Sequence, residues 1–225
     1  MYLNNNPNSQ LFTGKSLRLG GSKSPYEKNG TFYGDLSAIL IDNMPFWAEF
    51  SSTPSNKTSL MNDWNYKIDA IINETLNENV TSLAGVPSWM LVLLNKILEK
   101  SNKEYISEQW PNLEVYFHGG VSFKPYLNQY KSLINSESMK YYEIYNASEG
   151  FFAIQYENDS NELLLMLDYG IFYEFISMKN YGTKDEKIIP LSEVKKDINY
   201  AILITTNAGL WLSLIHISEP TRLRH

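Results

Sequence analysis

Apolar residues follow two patterns along this 225-residue chain, one helical and one strand-like. Between Leu60 and Asn77, Met61, Trp64, Ile68, Ile71, Ile72 and Leu76 recur three or four apart, which predicts an amphipathic helix capped by Thr58 or Ser59. A second helix is predicted from Pro87, where a missing N–H costs nothing, through Trp89 to Leu94 and on to Ile97 and Leu98. Its first turns are apolar nearly all round, so that end is expected to be buried. After Pro111 the run Leu113-Glu-Val-Tyr-Phe117 alternates as a strand ending at Gly119-Gly120, and Lys124 to Ile134 follows as a helix. Tyr141–Tyr145, Phe151–Gln155, Leu163–Leu167, Ile171–Ile176 and Tyr200–Thr206 are short, β-branched or aromatic, and bounded by Asn, Asp or Gly, as strands are. Together these predict an α/β fold, a mixed sheet with flanking helices. A hairpin is expected from Leu163 to Ile176, turning at Asp168-Tyr-Gly170.

Composition narrows the classes. With 43% hydrophobic and 20% charged residues the chain can bury a sizeable core. The longest apolar run, Trp89 to Leu94, is far short of the roughly 20 residues that span a bilayer, and no basic-then-apolar leader is read at the start, so a soluble, cytoplasmic, unexported protein is expected. With no cysteine there is neither a disulfide nor a thiolate metal site. Sequons at Asn29, Asn56, Asn73, Asn79, Asn146 and Asn158 are attributed to Asn-rich composition, not to glycosylation. A net charge of −6 with interspersed signs offers no basic stripe for nucleic acid.

The last stretch, from Leu212-Ser-Leu-Ile-His-Ile-Ser-Glu-Pro-Thr-Arg222 to His225, resembles a translated reading frame of a transposase adapter used in sequencing-library preparation. Residues 212–225 are therefore expected to be a sequence artefact and 1–211 the interpretable part. Without them, 17 basic and 24 acidic residues remain, and His118 is the one histidine. A Ser-His-Asp triad using His216 and a His-rich zinc site both fall with that exclusion.

Few segments carry chemistry. Gly20-Gly21-Ser-Lys-Ser-Pro25 lacks the spacing of a Walker loop or a dinucleotide fingerprint and reads as a surface turn. Tyr145-Asn-Ala-Ser-Glu149, followed by Gly150-Phe-Phe, is more informative. An aromatic ring can stack on a flat base, a small hydroxyl can bond a phosphate oxygen and a carboxylate can hold Mg²⁺. Taken alone, the pentapeptide reads rather as a hairpin turn with a solvated Glu149.

Context favours the first reading. Tyr145-Asn-Ala-Ser-Glu149 resembles the Tyr-x-x-Ser/Thr-Glu nucleotide motif of adenylate-forming enzymes. Phe117-His-Gly-Gly-Val121 is similar to the glycine pair such enzymes place at a strand end beside adenine, and Thr205-Thr-Asn-Ala-Gly-Leu-Trp211 to the segment leading into their third motif. With Leu11-Phe-Thr-Gly-Lys15, Phe46-Trp-Ala-Glu-Phe50, Ala84-Gly-Val-Pro-Ser-Trp-Met90 and Phe172-Tyr-Glu-Phe-Ile176, residues 1–211 resemble the Gretchen Hagen, or auxin-responsive promoter, family of acyl acid amido synthetases, in its bacterial branch. The resemblance implies an incomplete part of the large N-terminal domain of an adenylate-forming enzyme.

It further implies ATP and Mg²⁺ as cofactors, and a small carboxylic acid and an amino acid as partners. The acid is activated as acyl-AMP and passed to the amine. Glu149 is expected to ligate Mg²⁺ and Ser148 to contact the α-phosphate, both as catalytic residues. Tyr145, Asn146, Ala147, Gly119 and Gly120 enclose the nucleotide; Asn146 stands where many relatives have glycine. Pro87, Met90, Leu91 and Val121, with Trp89, are expected to line the acyl pocket, although helix residues at this spacing are usually core. His118 is read as structural. The family's phosphate loop and its ribose-binding aspartate are not found, so the 225 residues alone are expected to be inactive. An acyl-CoA ligase and a noncatalytic nucleotide- or acyl-binding module are the alternatives.

Overall fold

A computed structural model describes residues 1–21, 26–33, 35–207, 211–214 and 223–224. It forms two compact units, Met1–Glu143 and Ile144–His225.

In the first unit, chain order is α1 (Tyr2–Asn5), a 3₁₀ turn at Leu11–Thr13, β1 (Lys15–Leu19), β2 (Tyr26–Lys28), β3 (Thr31–Tyr33), α2 (Leu36–Asp42), α3 (Phe46–Phe50), β4 (Ser52–Thr53), α4 (Asn56–Ser59), α5 (Trp64–Thr75), β5 (Val80–Gly85), α6 (Pro87–Ser101), α7 (Ile106–Gln109), β6 (Val115–Gly119), α8 (Leu127–Ile134) and the start of β7 (Lys140–Ala147). Strands β4, β1, β5 and β6 pair in that order, all parallel. The register aligns Leu19 with Gly85 and Gly85 with His118, so three strands end side by side at one carboxyl edge.

Helices α5, α6 and α8 supply the core against this sheet: Ile68, Ile71, Met90, Leu93, Leu94, Ile97 and Tyr130 join Leu17, Leu83 and Tyr116 in one buried cluster. Full burial of an aliphatic side chain contributes about 1.5–3 kcal/mol, so the four fully buried positions of α6 are its main anchor. Pro87 opens α6 at the first helical position, and Asn102 closes it in the left-handed conformation with φ +52°.

Several expectations are corrected. The α5 cap is Asp63, which accepts from the Tyr66 amide at 3.0 Å; Thr58 and Ser59 belong instead to α4, capped by Ser55. The start of α6 is not buried all round, because Trp89 is 53% exposed beside Trp64 (ring centroids 4.7 Å apart) and Val92 is 42% exposed. One helical face meets the sheet and the other does not, whatever its hydrophobicity. Strand β5, which the sequence pattern missed, is the inner parallel strand between β1 and β6.

The second unit contains the end of β7, then β8 (Gly150–Gln155), β9 (Leu163–Leu165), β10 (Ile171–Ser177), β11 (Ile188–Pro190), β12 (Tyr200–Thr206), β13 (Trp211–Leu214) and β14 (Leu223–Arg224). The β7, β8 and β9 ladder is antiparallel, with β14 parallel to β9. A second antiparallel sheet runs β11-β10-β12-β13. The expected hairpin from Leu163 to Ile176 does not form. The chain turns near Gly170 (φ +72°), but β9 pairs with β8 while β10 pairs with β11 and β12, so the two strands enter different sheets. Phe152, Leu165, Tyr173, Phe175 and Ile204 form the apolar cluster of this unit. Of the stretch read as adapter-derived, 212–214 lie in β13, whereas 215–222 and 225 lie outside the described residues. Among the described residues no helix is long and apolar enough to cross a membrane.

Candidate functional site

In the first unit the candidate residues gather at the carboxyl ends of β5 and β6, where ligands of open α/β sheets bind. Gly119 is the last residue of β6, and Gly120 follows at φ +81°, a conformation that a side chain adopts only at a cost. A Cβ on Gly120 would meet only the Val86 side chain, at an ordinary 3.5 Å. Backbone conformation therefore demands glycine there, while the space beside it stays open for close approach. Val121 is 44% exposed, Leu91 half-buried, and Pro87 and Met90 are buried with the core.

His118 is 3% exposed on the face that also carries Tyr116. Its ring stacks on Phe123 with centroids 3.9 Å apart and 20° between planes. Burial pushes its pKa down to about 3, which keeps the imidazole neutral, and among the described residues Nδ1 has no hydrogen-bond partner. It is a core ring beside the glycine pair.

The sequence reading missed Gly85, at the end of β5. Its φ is +153°, and a Cβ would lie 2.9 Å from the carbonyl oxygen of Leu19. The available signal was a glycine directly before Val86-Pro87, a strand end abutting a helix start. The Gly20-Gly21 turn, read as an ordinary surface turn, follows β1 at the same edge. Both of its carbonyls accept from the buried Lys67 ammonium, at 2.9 and 3.2 Å.

In the second unit, Tyr145, Asn146 and Ala147 end β7, Gly150 opens β8, and the pairing of Ala147 with Gly150 leaves Ser148 and Glu149 as a two-residue hairpin turn. The register shifts between Tyr145 and Asn146: Tyr145 opposes Ala153 whereas Asn146 opposes Phe151. Phe152 is the extra residue of this bulge and is buried in the apolar cluster. Tyr145 packs on it at 5.4 Å between centroids, leaving the phenol half-buried. Burial, and secondarily the Glu149 charge, raise the Tyr145 pKa, so its hydroxyl stays protonated. Asn146 and Ser148 are exposed and Glu149 and Ala147 half-buried. Gly150 was also missed: a Cβ there would come within 2.8 Å of the Ile171 side chain.

This donor set suits one kind of ion. Among the described residues there is no group of three or more His, Cys, Asp or Glu able to cage a metal. Mg²⁺ needs only one or two protein carboxylates when phosphates and water complete its octahedron, and the half-buried Glu149, next in sequence to the exposed Ser148, fits that use.

Comparison with known proteins bears on both units. Residues 5–139 match the GH3 family N-terminal domain, and residues 164–215 the GH3 family central domain. No curated protein matches the chain in sequence. Among solved structures, it is similar to GH3.15 acyl acid amido synthetase (TM-score 0.69, 15% identity, 96% of this chain and 46% of that one) and to AtGH3.15 acyl acid amido synthetase in complex with 2,4-DB (0.70, 15%, 96% and 44%). It is also similar to an open conformation of 2-hydroxyisobutyryl-CoA ligase in complex with 2-HIB-AMP and CoA (0.53, 11%, 93% and 41%). The chain thus spans less than half the length of the structures it matches. Its fold is shared with these structures over more than nine-tenths of the chain. With a family domain matched over more than half of its residues, the chain belongs to the GH3 family.

Proposed function

We propose that this chain is part of an ATP-dependent acyl acid amido synthetase of bacterial type, which activates a small carboxylic acid as acyl-AMP and transfers the acyl group to an amino acid in the cytoplasm. One observation carries the reading: a GH3-family chain presents Tyr145-Asn-Ala-Ser-Glu149 on a hairpin whose two-residue turn is the exposed Ser148 and the half-buried Glu149.

In the first step a carboxylate oxygen of the acid bonds to the α-phosphorus of ATP while the bond to pyrophosphate breaks. In the second, the amine nitrogen bonds to the acyl carbon, AMP leaves with the electrons of the C–O bond, and the nitrogen loses a proton. Neither step needs a protein nucleophile; both need alignment and charge neutralisation. We assign Glu149 to Mg²⁺, Ser148 to the α-phosphate, and Tyr145, Asn146 and Ala147 to the adenine edge. Gly119 and Gly120 give the nucleotide close approach to the end of β6, and Pro87, Met90, Leu91 and Val121 belong to the acid pocket. Of these four, Leu91 and Val121 retain accessible surface.

A second reading, an acyl-CoA ligase, is favoured by the likeness to 2-hydroxyisobutyryl-CoA ligase. The test uses the complete reading frame that encodes these residues, with pyrophosphate release measured over a panel of carboxylic acids and with either amino acids or coenzyme A as acceptor. Amide product that disappears in Glu149→Ala supports the synthetase. Turnover with coenzyme A alone selects the ligase, and no adenylation with any acid leaves a noncatalytic binding module.

A further inference from the structure

Tyr116 on β6 and Tyr130 on α8 are fully buried, in a core where phenylalanine would pack equally well. A buried hydroxyl costs free energy unless it finds a partner. Each finds one at the same place: Tyr116 Oη donates to the carbonyl of Gly85 at 2.9 Å, and Tyr130 Oη to the carbonyl of Pro87 at 2.7 Å. The two rings stack, centroids 5.0 Å apart with 28° between planes, and bring their oxygens within 3.5 Å of each other. Burial raises both phenols well above their ordinary pKa, so they remain donors at any physiological pH.

The two carbonyls flank Val86, the single residue between the end of β5 and the start of α6. That junction is under conformational demand: Gly85 sits at φ +153°, where a Cβ would meet the Leu19 carbonyl, and Pro87 offers no N–H to anchor the first turn. The first intrahelical bond runs from the Met90 amide to the carbonyl of the cap residue Val86 at 3.1 Å. The phenols of β6 and α8 therefore add side-chain anchors to the carbonyls on either side of the cap residue.

We propose that Tyr116 and Tyr130 are positioning residues for the acid-binding site, their hydroxyls anchoring the first turn of α6 and so the placement of Leu91, which keeps accessible surface, towards the carboxylic acid. This inference rests on the acyl-pocket reading above.

The test replaces each by phenylalanine, which keeps the ring and removes only the hydroxyl. Backbone hydrogen exchange on the 225-residue chain should quicken about tenfold at the Met90 and Leu91 amides in Tyr116→Phe and Tyr130→Phe, and stay unchanged at Ile72 in the neighbouring helix α5. Calorimetric titration with 2,4-DB should show about tenfold weaker binding in the same variants. Uniform acceleration, or none, would overturn the positioning role and leave the tyrosines as packing. Local acceleration in a protein whose unmodified form binds neither 2,4-DB nor any other carboxylic acid tested would instead overturn the acyl reading, keeping the anchored helix turn but not its purpose. Local acceleration with unaltered acid binding would separate the turn from the site and also refute the proposal.

Discussion

Replacing Gly85 by alanine separates two costs that glycines usually combine. At φ +153° an L-residue lies where glycine alone is at ease, a strain of about 1–3 kcal/mol. The added Cβ would also stand 2.9 Å from the Leu19 carbonyl oxygen and 3.4 Å from the Leu19 Cβ. The oxygen belongs to the paired backbone of β1, which cannot swing aside as a side-chain tip can, so relief requires β1 and β5 to part locally and adds about 1–2 kcal/mol, the lower range of an overpacked core. Gly120→Ala is the internal control, with φ +81° but an ordinary 3.5 Å contact, and carries only a conformational cost of about 1–2 kcal/mol. With about 2–4 °C of midpoint shift per kcal/mol at this chain length, Gly85→Ala should melt roughly 4–20 °C below the parent and Gly120→Ala roughly 2–8 °C below. Thermal unfolding followed by circular dichroism reads both. Equal losses at the two positions would refute the steric half of the reasoning, and no loss at Gly85 would refute it entirely.

Three further outcomes are expected. His118 has its folded pKa depressed to about 3, so it contributes stability that is fully present above its ordinary value near 6.5 and is lost as pH falls towards 3; linkage gives a loss of about 2 kcal/mol between pH 7 and pH 5, and denaturant titrations of His118→Phe at the two pH values should show a smaller loss than the parent by that amount. Met90→Ala removes a side chain with no exposure and should cost about 2–5 kcal/mol in urea unfolding, against less than about 0.5 kcal/mol for the exposed Val92→Ala on the same helix. Because the chain spans less than half of the synthetase structures it matches, the 225 residues alone should give no carboxylate-dependent ATP–pyrophosphate exchange, and robust exchange would sink that expectation.

What could be read from sequence follows from which forces act locally. Helix α6 was legible because Pro87 and the spacing of Met90, Leu93, Leu94 and Ile97 encode its start and buried face within a few residues. Strand β12 was legible over its whole length, Tyr200–Thr206, for a similar reason. Strand β5 was not. Buried on both sides, it need not alternate, and Thr81-Ser82 interrupts its apolar run; the Thr81 hydroxyl is satisfied by the carbonyl of Leu11, seventy residues away in sequence. The hairpin at Asp168–Gly170 failed in the same way: the turn chemistry was correctly read, but strand partners are chosen by nonlocal packing. At the candidate site the motif residues were visible as residue types, whereas Gly85 and the two tyrosines were not, because their roles are contacts across 31 and 43 positions of sequence.

This difference bears on how a substrate pocket in such a fold can diverge. Apart from Gly119 and Gly120, the residues proposed for the nucleotide lie on one short hairpin, in which substitution at Asn146 or Ser148, both exposed, disturbs little packing. The start of α6 is tied instead to β1 through Gly85, to β6 through Tyr116 and to α8 through Tyr130. Under the proposed acid pocket, a change made at Met90 must pass through that shared packing and costs core stability, whereas Leu91 and Val121 keep accessible surface and can vary with less loss. If acid choice in relatives of this chain is tuned at the proposed pocket, the tuning should fall on positions equivalent to Leu91 and Val121 and spare those equivalent to Gly85, Tyr116 and Tyr130.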